Sequence, residues 1–160
     1  SDDSVEVNPI CISDKRLKQL ESKVRLYFTG GKRSANNILN EQKSNMIDEK
    51  IFANLKTLVA LAEESKDMFV KGNLSNIGKS LHRGWTLKKS FANSITNNKI
   101  NKIYDNFIAK GAIGGKLLGA GSEGFLLIYA DEHKNFYDID SFNAIPIKVD
   151  KEGTKVIFNN

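Results

Sequence analysis

Apolar residues recur at helical spacing through the middle of the chain. Three or four positions separate them, which is the spacing that places side chains on one face of an α-helix. Helices are predicted to begin after Ser34, to span Asp48 to Val70, to begin again at Leu74 and to span Asn98 to Lys110. Gly72 and Gly111 follow two of these segments, as helix-ending glycines do.

Strand patterns lie on both sides of this helical region. Their apolar residues alternate or form short runs of branched and aromatic side chains. The predicted strands are 5–12, 24–28, 125–129, 145–149 and 156–158, with the last two forming a hairpin. Helices followed by two hairpins predict an α+β domain, in which helices cover one face of an antiparallel sheet of about four strands.

Six of the twelve glycines lie between Gly111 and Ala130. Gly119 to Gly124 has the spacing of a dinucleotide-binding loop, but that loop requires a helix after its third glycine. Here a predicted strand follows, so the pattern indicates a strand, a glycine-rich connection and a second strand. Such a connection exposes backbone N–H groups that accept phosphate or carboxylate oxygens. The alternative is a structural hairpin whose glycines only satisfy turn geometry.

Composition narrows the function classes. The formal net charge is +5, yet lysine supplies most of the basic residues, and arginine, which reads phosphates and guanines, occurs four times. This argues against nucleic acid as a partner, although a basic balance attracts phosphorylated substrates. One cysteine and two histidines favour neither a disulfide framework nor a zinc site. No run has the length or layout of a membrane span or signal peptide, so we expect a cytoplasmic protein without membrane contact.

Three motifs resemble one family. Gly114 to Phe125 reads Gly-Gly-Lys-Leu-Leu-Gly-Ala-Gly-Ser-Glu-Gly-Phe, which resembles the glycine-rich motif in the C-terminal half of the GHMP kinases. Leu26 to Ala35 is similar to a strand-turn-helix signature, and Gly84 to Ser90 to a Trp-x-Leu-Lys helix, of the sugar-phosphate branch of that family. Within that branch the sequence looks closest to the D-glycero-D-manno-heptose kinases and their fucose-kinase-like relatives. Order and spacing agree over roughly residues 24–130.

The resemblance implies a division of the chain and an activity. Residues 34–160 would form the ferredoxin-like GHMP C-terminal domain, and residues 1–33 would be strands that remain from the N-terminal domain. The family's phosphate-binding loop and catalytic carboxylate lie in that N-terminal domain and have no counterpart here. The complete enzyme would transfer the γ-phosphoryl group of ATP, with Mg²⁺, to a hydroxyl of a sugar or sugar phosphate. ATP and Mg²⁺ would bind mainly outside this chain, which alone would lack turnover.

The resemblance also implies a set of substrate- or phosphate-binding residues and no catalytic residue. These are Gly119, Gly121, Ser122, Gly124, Trp85, Lys88 and Arg33. An aromatic ring beside an ammonium group suits a phosphosugar, because the ring covers the sugar and the lysine meets the phosphate. The alternative is that Trp85 anchors the core and the lysines are solvated. Arg33 stands at a predicted helix N-terminus, which is either an anion site or a simple capped connection.

Glu123 and Ser122 occupy positions where the family's loop commonly has glycine. A carboxylate at Glu123 could point away, contact a cation or a sugar hydroxyl, or mark altered specificity. Two other function classes are also compatible with the sequence. One is a non-catalytic ferredoxin-like module that binds a phosphorylated metabolite. The other is an RNA-binding module, although the predicted strands lack the aromatic pattern that stacks bases.

Overall fold

The structure is a computed structural model that describes residues 7, 9–31, 35–136, 138–139 and 142–150 of the 160-residue chain. The helices in these ranges are α1 (Asp14–Lys23), α2 (Ala35–Asn45), α3 (Glu49–Lys71), α4 (Leu74–Lys89) and α5 (Asn98–Ala109). The strands are β1 (Val24–Phe28), β2 (Gly114–Leu117), β3 (Phe125–Tyr129) and β4 (Ile145–Pro146). Short 3₁₀ turns at Asn93–Ile95 and Lys134–Phe136 precede α5 and β4.

The four strands form one antiparallel sheet with the order β2-β3-β1-β4. This is the strand order of the ferredoxin-like fold, with four helices in the first crossover. One row across the sheet runs from Lys116 through Leu127 and Leu26 to Ile145. The predicted α+β class and four-stranded antiparallel sheet are confirmed.

The two faces of the sheet have different surroundings. The core face carries Tyr27, Leu117 and Leu126, which are buried in one cluster with apolar residues of α5. The second face carries the row that begins at Lys116, and farther along β1 and β3 it carries two paired, exposed rings, Phe28 at 47% and Phe125 at 37% exposure. Helices therefore bury most of one face and leave part of the other open.

Capping residues set the ends of the helices. The Asp48 carboxylate accepts the backbone N–H groups of Lys50 and Ile51 at the start of α3. Gly72 ends that helix in the left-handed region with φ 77°. The Asn97 side chain accepts the Ile100 N–H and starts α5. The predicted bounds of α3 and α5 are therefore confirmed to within two residues.

Helix α4 packs directly on the edge strand β2. A Cβ atom on Gly114 would lie 1.9 Å from the Gly78 carbonyl oxygen, and one on Gly78 would lie 2.7 Å from the Tyr129 ring. The backbones thus approach at a distance that only glycine permits. This contact brings the C-terminal turn of α4 beside the connection between β2 and β3.

The expectation for the first residues is wrong where the structure describes them. Asp14–Lys23 is a helix, and β1 lies inside the sheet, paired with both β3 and β4. Since β1 supplies a central strand, it cannot be a remnant of another domain's sheet. Residues 9–13 form no strand, β4 is shorter than predicted, and the predicted strand 156–158 lies outside the described residues. Within the described ranges, no helix combines the length and apolarity required to cross a membrane.

Candidate functional site

The connection between β2 and β3 has an unusual backbone. Gly119, Gly121 and Gly124 have φ values of 74°, 138° and 120°, all in the region that favours glycine. Ser122 has φ 69° and is the non-glycine residue with positive φ in the described part of the chain. For a residue with a side chain this conformation costs about 1–2 kcal/mol, so the surrounding contacts must hold it. We call residues 118–124 the glycine loop.

The segment before α5 supplies those contacts. The Ser122 N–H donates to the Ile95 carbonyl oxygen at 2.6 Å, and Asn97 Nδ2 donates to the Ser122 carbonyl oxygen at 2.8 Å. A Cβ atom on Gly121 would lie 2.5 Å from the Ile95 carbonyl oxygen, so close packing fixes the loop there as well. The loop therefore packs against the segment that leads into α5. Sequence reasoning did not identify Asn97 as a contact of this loop. The capping preference of asparagine identifies α5, but it gives no sign of this second bond.

Lys88 reaches the other end of the loop from the last turn of α4. Its Nζ donates to the Gly119 carbonyl oxygen at 2.6 Å. Burial lowers the pKa of Lys88, and the nearby charge of Lys116 on β2 lowers it further. Neither lysine forms an ion pair with a carboxylate of the described residues. Two ammonium groups beside the glycine loop create a local excess of positive charge, which a bound anion would neutralise.

Lys116 is the basic residue that sequence reasoning left out of the site. It lies in the short strand Gly-Gly-Lys-Leu. Because two of these four residues are glycines, the sequence shows no alternation of apolar and polar side chains that would assign Lys116 to a face of the sheet. Its register opposite Leu127 places it on the second face of the sheet, toward Lys88. Only the pairing of β2 with β3 reveals this position.

Trp85 lies in the hydrophobic core and not beside the two lysines. Its side chain is 1% exposed in the core, its ring centroid is 6.4 Å from that of Tyr104, and Lys89 Nζ is 5.8 Å from its ring centroid. The indole N–H has no hydrogen-bond partner among the described residues. The buried ring presents no face to a ligand, which corrects the expectation of an aromatic plate and favours the core-anchor alternative.

The turn after β1 closes the far side of the glycine loop. The Thr29 N–H and hydroxyl both donate to the Gly124 carbonyl oxygen, at 2.8 and 2.9 Å. Lys99 Nζ donates to the Thr29 carbonyl oxygen at 3.0 Å. The Glu123 carboxylate lies against Gly31, where a Cβ atom would be 1.9 Å from Oε2. The chain's own carboxylate therefore lies at the turn predicted as an anion site. Arg33 lies outside the described residues.

The described residues hold no group of three or more His, Cys, Asp or Glu side chains that could bind a metal ion. The site therefore consists of backbone donors and lysines. It can bind and orient anionic oxygens, but it supplies no side chain that we assign to proton transfer or metal ligation.

Two curated relatives share sequence with most of this chain. D-glycero-alpha-D-manno-heptose 7-phosphate kinase of Campylobacter jejuni is 30% identical over 132 residues, which are 82% of this chain and 39% of the relative. The bifunctional fucokinase/GDP-fucose pyrophosphorylase of Arabidopsis thaliana is 25% identical over 130 residues, or 80% of this chain and 12% of the relative. The chain thus spans well under half the length of these relatives. No family model matches the chain.

A solved structure shares the fold. The mevalonate kinase of L. major, in complex with R-mevalonate, superposes with a TM-score of 0.62 at 16% identity. The match covers 79% of this chain and 43% of that one. At this identity the likeness concerns the fold alone.

Proposed function

We propose that this chain is the C-terminal, substrate-binding half of a GHMP-type sugar or sugar-phosphate kinase, because its sequence resembles two sugar kinases and its fold resembles that of a mevalonate kinase. One curated relative is a heptose 7-phosphate kinase, so a phosphorylated sugar is the substrate class we favour. The reaction would be phosphoryl transfer from ATP to a sugar hydroxyl. We propose this substrate, its cofactors and the activity only for a complete kinase, because the chain spans 39% of that relative.

One arrangement carries this proposal: two lysines meet beside the glycine loop. Lys88 and Lys116 converge from α4 and β2, and Lys88 also bonds the loop at Gly119. We assign the two ammonium groups to the phosphate that the sugar already carries. The loop N–H groups would orient anionic oxygens at the reacting end. Such contacts act by positioning and charge stabilisation, which are the main protein contributions to phosphoryl transfer.

ATP and Mg²⁺ would act in the complete kinase. When bound, they supply the transferred phosphoryl group and neutralise its developing charge. The described residues hold no cluster of side chains that fits a metal ion, so we assign them no metal. This chain would bind and orient the acceptor sugar and limit its access to water.

Direct binding tests the proposal without the rest of the enzyme. The 160-residue chain should bind heptose 7-phosphate in calorimetry and bind the same heptose without its phosphate at least tenfold more weakly. Lys88→Met should remove most of this difference. Lys79→Met is the matched control, because Lys79 is an exposed lysine of the same helix. Equal affinity for the two sugars would contradict a phosphosugar site.

A further inference from the structure

A cavity of about 460 Å³ lies between the antiparallel helices α3 and α4 and the second face of the sheet. Its wall is almost entirely apolar and includes Leu58, Leu61, Phe69, Ile77, Leu81 and Leu127. The volume falls in the range of small-molecule sites, which are mostly apolar with a few convergent polar groups. We call it the α3–α4 cavity.

Two positively charged side chains lie at one end of this cavity. Lys88 and Lys116 both line it, and Lys88 belongs to the last turn of α4. Ile77, in the first turn of α4, lines it as well. Lys88 follows Ile77 by eleven positions, so the lining extends about 16 Å along the helix at about 1.5 Å per residue. The space is therefore elongated, with cations at one end and hydrocarbon along its length.

The wall does not suit a sugar. Ser65 and Ser80 are the hydroxyl side chains that line it, and their Oγ atoms are 2.6 Å apart and bond to each other. A polyhydroxylated ring would leave water without gaining partners there, which is costly. An unbranched alkyl chain loses no hydrogen bonds on leaving water, and each of its methylene groups gains apolar contacts with the wall.

We propose that the α3–α4 cavity binds an amphiphilic anion, with its phosphate or carboxylate head on Lys88 and Lys116 and its alkyl chain along α4. The binding site requires only this chain. The regulatory consequence rests on the proposed function: a ligand that uses the same lysines would compete with a sugar phosphate. Occupation of the cavity would then inhibit the kinase through its acceptor site.

A series of ligands, measured on the 160-residue chain, separates the contribution of the charged head to the affinity from that of the alkyl chain. Decyl phosphate and decanoate should bind saturably in calorimetry, and decanol and inorganic phosphate should each bind at least tenfold more weakly. Octyl phosphate should bind about tenfold more weakly than decyl phosphate, since each buried methylene contributes several-fold in affinity. Decanol that binds as tightly as decyl phosphate, or a lack of saturable binding, would overturn the proposal. A response to decanoate alone would identify the ligand as a carboxylate, and one to decyl phosphate alone as a phosphate ester.

Variants locate the site. Lys88→Met and Lys116→Met keep a long side chain but remove its charge, and each should weaken decyl phosphate binding about tenfold without changing that of decanol. Lys79→Met should change neither. Gly84→Leu should block the cavity, because a Cβ atom there already lies 3.5 Å from Leu58 and Leu61. A Gly84→Leu chain that unfolds cooperatively and still binds decyl phosphate would exclude this cavity.

The two proposals can fail independently. If decyl phosphate binds and heptose 7-phosphate does not, the cavity proposal stands and the phosphosugar site is wrong. If heptose 7-phosphate binds and decyl phosphate does not, the reverse holds. If both bind, decyl phosphate should raise the apparent Kd for heptose 7-phosphate in proportion to its concentration.

Discussion

Ser122 is held in a conformation that most side chains avoid. Its φ of 69° is maintained by bonds to Ile95 and Asn97 on the neighbouring segment. These bonds fix the backbone of the loop before any ligand arrives, which reduces the entropy lost on binding. The site is therefore preorganised at a measurable cost in stability.

Replacing Ser122 by glycine should relieve that cost. We expect Ser122→Gly to raise the free energy of unfolding by about 0.5–1 kcal/mol, because the steric cost of about 1–2 kcal/mol disappears while glycine adds some backbone entropy. Ser122→Val should lower it by about 1 kcal/mol or more, since branched side chains tolerate this region worst. Urea unfolding of the three proteins measures both changes. A destabilised Ser122→Gly would show that the serine side chain contributes more than its conformation costs.

Lys88 should matter for affinity and for its pH dependence. In the complete kinase, Lys88→Ala should lower kcat/KM for the sugar phosphate at least tenfold, or about 1.4 kcal/mol. Since burial and Lys116 lower the pKa of Lys88 from 10.5, its charge is lost at a lower pH than that of an ordinary lysine. Phosphosugar binding should therefore weaken at alkaline pH before exposed lysines titrate. Unchanged kinetics in the variant would remove Lys88 from the site.

Sequence reasoning named some residues of this candidate site and left out others, for identifiable reasons. The glycines and Lys88 belong to motifs whose residue types and spacings can be recognised in the sequence alone. Trp85 lies three residues from Lys88, which suggests a shared helix face. In the structure the ring enters the core, while the long lysine side chain reaches Gly119. Lys116 depends on strand register, which the sequence alone does not give.

At the scale of elements, two glycines of α4 should respond oppositely to the same change. Gly78→Ala should lower the free energy of unfolding by about 1–2 kcal/mol, because its Cβ would overlap the Tyr129 ring and Ile113. Gly84→Ala should raise it by up to about 1 kcal/mol, since its Cβ finds ordinary contacts and alanine favours the helix. Thermal unfolding of both variants measures the contrast. Equal effects would mean that α4 can shift away from β2.

His133 ties β1 to the segment after β3 and should make stability depend on pH. Its Nε2 donates to the Lys23 carbonyl oxygen at 3.0 Å, which leaves Nδ1 to accept the Tyr27 hydroxyl at 3.0 Å. Burial lowers the pKa of His133 below 6.5, and Arg25 lowers it further. Below that ordinary value the unfolded chain takes up a proton and the folded chain does not, so stability should fall as pH decreases. Unfolding midpoints from about pH 7.5 to about pH 5 should fall less in His133→Gln, which lacks the titrating ring.

The elements differed in how well their sequences predicted them. The long helices α3 and α5 carry clear apolar faces and recognisable caps, so their bounds were predicted closely. Helix α1 was missed because it is rich in charged residues and buries none of them. Its helical state depends on the Ser13 cap and on its contact with β1. The two residues of β4 pair only because β1 lies beside them.

For the whole molecule, the chain should bind its ligand without turning it over. Lys88 and the glycine loop would bind the acceptor, and the chain spans 39% of the heptose 7-phosphate kinase that it resembles. We expect no ATP-dependent phosphorylation of heptose 7-phosphate by the purified 160-residue chain, measured with radiolabelled ATP. The complete kinase containing this chain is the positive control. Product formation that scales with the amount of chain would contradict the assignment of catalysis to another part of the protein.

The position of β1 has a consequence for how the domain is made. β1 lies in the middle of the sheet, yet the bond between Thr29 and Gly124 spans 95 residues of sequence. During synthesis β1 leaves the ribosome long before its partner β3, and all the intervening helices can form while it waits. Sheets assembled from such distant partners fold slowly, in about milliseconds to seconds. A chaperone that covers the apolar strand Val-Arg-Leu-Tyr-Phe in that interval would protect the nascent protein from aggregation.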